Sequence, residues 1–166
     1  MTSSTAARRP VVHHHPHPPH PPPGRPPRAV LDLGAVPTAP SCARAWTRQV
    51  LWEWRLADLS DTAELIVSEL TTNAMLTSRR EGRSFIRLTL NLDQGELAIL
   101  VRDFCHSAPQ PGNAGADDEN GRGLFLVQAM SDRSGWYPTG EDTPGKVVWA
   151  VARGMRTSHQ EGTESR

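Results

Sequence analysis

The sequence predicts a two-layer α/β (α+β) sandwich, an antiparallel or mixed sheet with helices on one face. Three observations predict it. Two stretches of helical periodicity, residues 41–54 and 61–76, come before two strands, 86–92 and 96–103. A short apolar helix, 124–130, and a closing strand, 145–152, follow after a long aperiodic connection. The segment between two polar ends, about 125 residues, is enough chain for one hydrophobic core.

Residues 1–28 form the first of three regions. From Arg8 onward this region is almost entirely Pro, His, Arg and Gly, so prolines forbid a helix or central strand and nothing apolar is available to bury. It reads as a disordered, partly polyproline tail. Its clustered imidazoles can take Ni²⁺, Cu²⁺ or Zn²⁺ adventitiously, but no carboxylate or thiol there fixes a coordination geometry. Residues 29–153 read as the folded domain, and 154–166 as a second polar tail.

The 18 basic and 18 acidic side chains cancel, which excludes a global field that would draw the protein onto nucleic acid or an anionic membrane. No apolar run approaches the ~18 residues of a membrane span, and the N-terminus lacks the apolar core of a secretory signal, so the chain reads as cytosolic. Cys42 and Cys105 are far apart and outside any C-x-x-C pair, and both read as reduced thiols.

Within the domain, Val30, Leu31, Leu33 and Val36 predict a first strand. The first helix carries Cys42, Trp46, Val50 and Trp54 at helical spacing, with Ala43, Ala45 and Leu51 beside them. Trp46 and Trp54 read as core packing or as a partner surface. In the second helix Asp61 and Glu64 have the spacing of a capping box, and Ala63, Ile66, Val67, Leu70 and Ala74 form the stripe to be buried. A polar loop over 78–83 leads into the hairpin. Leu97, Ile99 and Val101 share one parity on its second strand, and Asp103 continues that parity. The connection 104–120, with its prolines, glycines and three consecutive acids, is long enough for a functional lid. In the closing strand Val147, Trp149 and Val151 are in phase.

Four features carry candidate chemistry. Glu69 and Asn73, four residues apart, lie one turn apart on one helix face, an arrangement that a solvated helix edge also shows. Asp103 in line with an apolar set needs a hydrogen-bond donor to offset its burial. That donor is a ligand amino group or the backbone of the following turn. Gly121-Arg122-Gly123 ahead of an apolar helix offers backbone N–H groups to a phosphate, or is simply a tight turn.

In combination and order these features resemble the GHKL ATPase superfamily, the Bergerat ATP-binding fold, and within it the bacterial anti-sigma factor serine/threonine kinases. Glu69-Leu70-Thr71-Thr72-Asn73-Ala74 is similar to the N box, and Val101-Arg102-Asp103-Phe104-Cys105 to a glycine-poor first glycine box. The stretch from Asn120 to Val127 is similar to the second, and Gly145-Lys146-Val147-Val148-Trp149 to the closing strand. The resemblance spans 30–153. It implies ATP and Mg²⁺ as cofactors, with Glu69 as catalytic base, Asn73 as the metal ligand and Asp103 on the adenine amino group. Gly121, Arg122, Gly123 and Leu124 complete the implied nucleotide-binding set.

The implied activity is a protein kinase whose partners are an anti-anti-sigma protein, a sigma factor, or both, with neither nucleic acid nor membrane bound directly; homodimers are common among such proteins. Two alternatives stay open: a non-catalytic, ATP-dependent module that sequesters a regulator, and the catalytic domain of a histidine-kinase-like system. Departures from the pattern are Met75-Leu76-Thr77-Ser78 where a basic or His residue often follows the Asn, Cys105 at a usual Ser or Gly, and Ser134-Gly135 at a usual Trp-Gly.

Overall fold

A computed structural model describes residues 26–105, 119–140 and 145–154, and of residues 119–122 the backbone alone. Residues 1–25 of the Pro/His-rich tail, 155–166 of the C-terminal tail and 106–118 of the expected lid lie outside the described residues. The elements are β1 (Arg28–Gly34), α1 (Ala39–Glu53), α2 (Ser60–Arg80), β2 (Phe85–Asp93), β3 (Glu96–Asp103), α3 (Glu119–Met130), β4 (Arg133–Pro138) and β5 (Lys146–Arg153). The strands form one sheet in the order β1-β2-β3-β5-β4, and every neighbouring pair is antiparallel. One core cluster unites Ala43, Val50 and Leu51 of α1, the α2 stripe, Val127 of α3 and one parity of β2, β3 and β5. The helices therefore share one face of the sheet, the expected two-layer α+β sandwich.

On β3 the expected parity holds, with Leu97, Ile99, Val101 and Asp103 all buried. All five residues expected to seat the second helix, Ala63, Ile66, Val67, Leu70 and Ala74, are buried as well. Elsewhere the periodicity misleads. α1 turns Ala39, Ala43, Thr47, Val50 and Leu51 to the sheet, leaving Cys42 exposed and Trp46 and Trp54 half-buried against the rim of the core. Small residues let the helix sit closer to the strands than a row of tryptophans would allow. On β1 it is Ala29, Leu31 and Leu33 that pack on the core, while Val30 and Val36 are exposed. In β5 the inward set is Val148, Ala150 and Ala152, so Val147, Trp149 and Val151 lie on the helix-free face. There the Trp149 indole covers Gly135 of β4, an edge strand without alternating apolar residues and therefore without a sequence signal.

The expected capping box does not form. A 3₁₀ turn, Ala57–Leu59, runs into α2 with Leu59 already in helical conformation, so no extended residue is left to act as N-cap. Ser60 Oγ instead donates to Glu64 Oε1 at 2.9 Å, and the Arg48 guanidinium of α1 grips both Glu64 oxygens. At its other end α2 continues to Arg80 rather than giving way to the expected loop. Ser78 there is fully buried, and tertiary packing overrides a polar local sequence.

Hydrogen bonding from Arg48 holds the Glu64 carboxyl below the usual glutamate range, against the opposing effect of its burial. A carboxyl lowered in the folded state stabilises the fold above its unfolded pKa, about 4.3, and loses that contribution as pH falls through the folded value. Arg48 is largely exposed, so the pair contributes on the order of 1 kcal/mol. Glu64→Gln is expected to lower the urea-unfolding free energy by about that amount at pH 7, and the gap between variant and parent is expected to close below about pH 4.

Candidate functional site

The apolar stripe fixes the rotation of α2 about its axis, and Glu69 and Asn73 follow from it. They flank Leu70 and Ala74, both buried, and so come to the border of the core half-buried. α3 reaches the same border from the other side. Val127 is buried in the core, and Gly123, one turn earlier on the same face, is thereby aimed at α2. A β-carbon at position 123 would come closer than 3.0 Å to Glu69 Oε2 and would lie 3.9 Å from Asn73 Nδ2. Only glycine leaves the Glu69 carboxylate room against the α3 backbone. That carboxylate lies near the N-terminal end of α3, where the helix favours an anion.

Asn73 Nδ2 is buried and has no hydrogen-bond partner among the described residues. An uncommitted amide beside a carboxylate, both facing a glycine, is a polar corner whose bonding capacity is unspent. Its donors are hard oxygens and amides, which suit Mg²⁺ rather than a softer metal. Among the described residues no group of three or more His, Cys, Asp or Glu could hold a metal ion. A magnesium ion here would therefore take most of its ligands from phosphate and water, which is how that ion is usually held beside a nucleotide. The chemistry of Asn73 and Glu69 is compatible with a hydrated Mg²⁺ carried by a nucleotide.

The glycine turn is not where the sequence reading puts it. α3 starts at Glu119, so Gly121-Arg122-Gly123 is part of the helix rather than a loop before it. Within α3 the N–H groups left open by helix geometry are those of residues 119–121, and Gly123 already lies in the bonded part of the helix. Leu124 packs against the core cluster.

Asp103 is buried, 2% exposed, and its partner is Lys146, 3% exposed, directly across the β3–β5 ladder. Lys146 Nζ lies 2.9 Å from Oδ2 and 3.1 Å from Oδ1. The Cys105 N–H donates to Oδ1 at 3.1 Å, the turn-capping bond. Gly145 makes the approach possible, because a β-carbon there would overlap the Asp103 carbonyl. Burial pushes the Asp103 carboxyl up, opposed by the Lys146 hydrogen bond and charge. The Cys105 thiol is likewise pushed up by burial and by Asp103. Lys146 was not among the sequence candidates: the phase of Val147, Trp149 and Val151 put it on the outward parity, and only the sheet shows that it shares the inward parity of Val148 and Ala150, where a lysine needs an acid.

The structure thus joins Glu69, Asn73 and Gly123 directly and sets Asp103 apart from them. Asp103 is linked to α2 through Cys105, whose Sγ is 3.8 Å from Ser78 Oγ. Ser78 lies five residues beyond Asn73, about 7–8 Å along the helix. Acid, amide and glycine occupy the α2–α3 border, with the buried ion pair under the C-terminal half of α2.

Residues 30–152 match the model of the histidine kinase-like ATPase domain. The chain belongs to that family. None of the curated proteins matches it. Among solved structures, a chain of the SiaB–SiaC complex from Pseudomonas aeruginosa is similar, with a TM-score of 0.53 at 11% identity over 73% of this chain and 88% of that one. At that identity the likeness is one of fold. None of the described helices is long and apolar enough to cross a membrane.

Gly123→Ala separates folding from this family's chemistry. Alanine raises helix propensity by up to about 1 kcal/mol, and the atom it displaces ends a flexible side chain. The variant is expected to keep or raise its melting temperature while ATP affinity in magnesium drops at least about tenfold, read by thermal denaturation and calorimetric titration.

Proposed function

We propose that this chain is a cytoplasmic ATP-binding regulatory protein, an anti-sigma factor serine/threonine kinase. It phosphorylates a serine hydroxyl of an anti-anti-sigma partner, holds a sigma factor inactive, or does both. The observation that carries the proposal is the meeting of Glu69, Asn73 and Gly123 at one helix border, in a chain of the histidine kinase-like ATPase family. The order of Glu69, Asn73, Asp103 and the glycine pair supports the anti-sigma kinase subtype through the resemblance described above.

In this reading Asn73 would offer its side-chain oxygen to Mg²⁺, and the ion, when bound, would neutralise charge on the nucleotide phosphates. Glu69 accepts the proton of the incoming serine hydroxyl as that oxygen bonds to the γ-phosphorus and the bond to the β-phosphate oxygen breaks, releasing ADP. Asp103 accepts from the adenine amino group. Gly121 and Gly123 let the α3 backbone approach the phosphates, and Arg122 adds positive charge there.

A module that binds its regulator under ATP control without transfer is the second reading. Phe125, 73% exposed, and its exposed neighbour Leu126 give α3 an apolar surface that favours a protein partner under either reading. The SiaB–SiaC structure is a complex of two proteins; a protein partner for this chain is part of the proposal.

Radiolabel transfer from γ-labelled ATP to a serine-bearing anti-anti-sigma protein separates the two. Glu69→Ala is expected to slow transfer about 10²- to 10⁴-fold with ATP affinity little changed; ATP binding without transfer by the parent protein supports the module. Asn73→Ala is expected to keep the fold by circular dichroism and to weaken Mg²⁺-dependent ATP binding at least about tenfold by calorimetry. Unchanged affinity refutes the metal assignment.

A further inference from the structure

The Asp103–Lys146 pair is more than the fold requires. Immediately beside it on the same two strands, Val101 and Val148 face each other as an apolar pair. Replacing a buried ion pair with well-packed apolar residues is often neutral or stabilising, because desolvating two charges offsets their attraction. A charged pair retained at such a position calls for a use other than stability.

That use follows from the acceptor positions of the carboxylate, about four in all. Oδ1 accepts from Lys146 and from the Cys105 N–H, while Oδ2 accepts from Lys146 alone. Among the described residues one position remains, on Oδ2. Lys146 contacts both oxygens and so fixes the direction in which that position points. Its charge also opposes protonation. Of the other groups acting on Asp103, the Cys105 backbone N–H also opposes protonation, more weakly than Lys146, whereas the Glu81 charge favours it.

We infer that Lys146 is a positioning residue that sets base specificity: it keeps Asp103 an ionised, acceptor-only group with a single open position. The inference rests on the ATP reading above. An ionised carboxylate accepts from the exocyclic amine of adenine and repels the carbonyl oxygen that guanine carries at the same ring position. Without the ammonium group, the buried carboxyl takes up a proton and becomes a donor as well. It then tolerates guanine.

The test compares ATP and GTP affinity by calorimetry at pH 6, 7.5 and 9 for the parent, Lys146→Met and Lys146→Arg. The ¹³C shift of the Asp103 carboxyl is followed over the same range. The parent is expected to prefer ATP by a ratio that does not change with pH, with Asp103 ionised throughout. In Lys146→Met that ratio is expected to fall at least about tenfold at pH 6 and to recover toward pH 9 as the carboxyl titrates, while Lys146→Arg keeps it. Several results overturn the inference: an unchanged ratio in Lys146→Met, an equal loss of both nucleotides at every pH, or tighter ATP binding, which would mean that Lys146 occupies the base position. If Lys146→Met does not fold, the parent decides: an Asp103 carboxyl already protonated at pH 7.5 overturns it, and one ionised there beside a flat ATP preference supports it. A parent that binds neither nucleotide overturns the ATP reading and the specificity role together, a result distinct from a parent that binds ATP and a variant that discriminates equally well.

Discussion

The rotational setting of α2 on the sheet is the constraint from which the candidate site follows. A helix of 21 residues, seated by Ala63, Ile66, Val67, Leu70 and Ala74, cannot turn about its axis without lifting that stripe into water. Burying a branched side chain of this kind contributes about 1.5–3 kcal/mol, so the seating outweighs any single polar contact at the helix surface. Glu69 and Asn73 are polar residues next in phase to the stripe, and they reach the border with α3 because the apolar residues have already chosen the face. Val127 does the same for α3, and Gly123 is carried to the border with it.

Two kinds of electrostatics serve different ends in this fold. On the surface, Asp32 with Arg87 joins β1 to β2, and Glu96 takes both Arg133 and Arg153 at the β3–β5 end of the sheet. Pairs so exposed are screened by solvent and contribute little, and they mark register more than they hold it. The Asp103–Lys146 pair is buried on both sides, and removing one partner from such a pair is costly, because the other must either stay buried without its counter-charge or give up its own charge. Gly145 and the Cys105 turn both serve this contact. Contacts from Lys146 to both oxygens and from the Cys105 N–H to one fix the direction of the carboxylate.

How far the site was legible in the sequence depended on whether a local period carried the information. Parity along β3 announced that Asp103 would be buried, and helical spacing put Glu69 and Asn73 on one face. The glycine pair was found by composition but put in the wrong element, since backbone conformation around 119–123 is set by the packing of α3 on α2. Lys146 was overlooked because its partner lies 43 residues away in sequence. β4 lacked any signal, for an edge strand paired on one side needs no alternation.

By itself the sequence determined the two-layer class, the α2 stripe, the inward parity of β3 and a resemblance borne by four separated boxes. These are properties of repeats two to four residues long, and a chain encodes them wherever it is read. Tertiary structure alone decided which face of α1 and β5 turns inward, that the glycines lie within α3, and that Asp103 meets Lys146. Each of these depends on which strands become neighbours, and that choice is made by the closure of the whole core rather than by any local stretch.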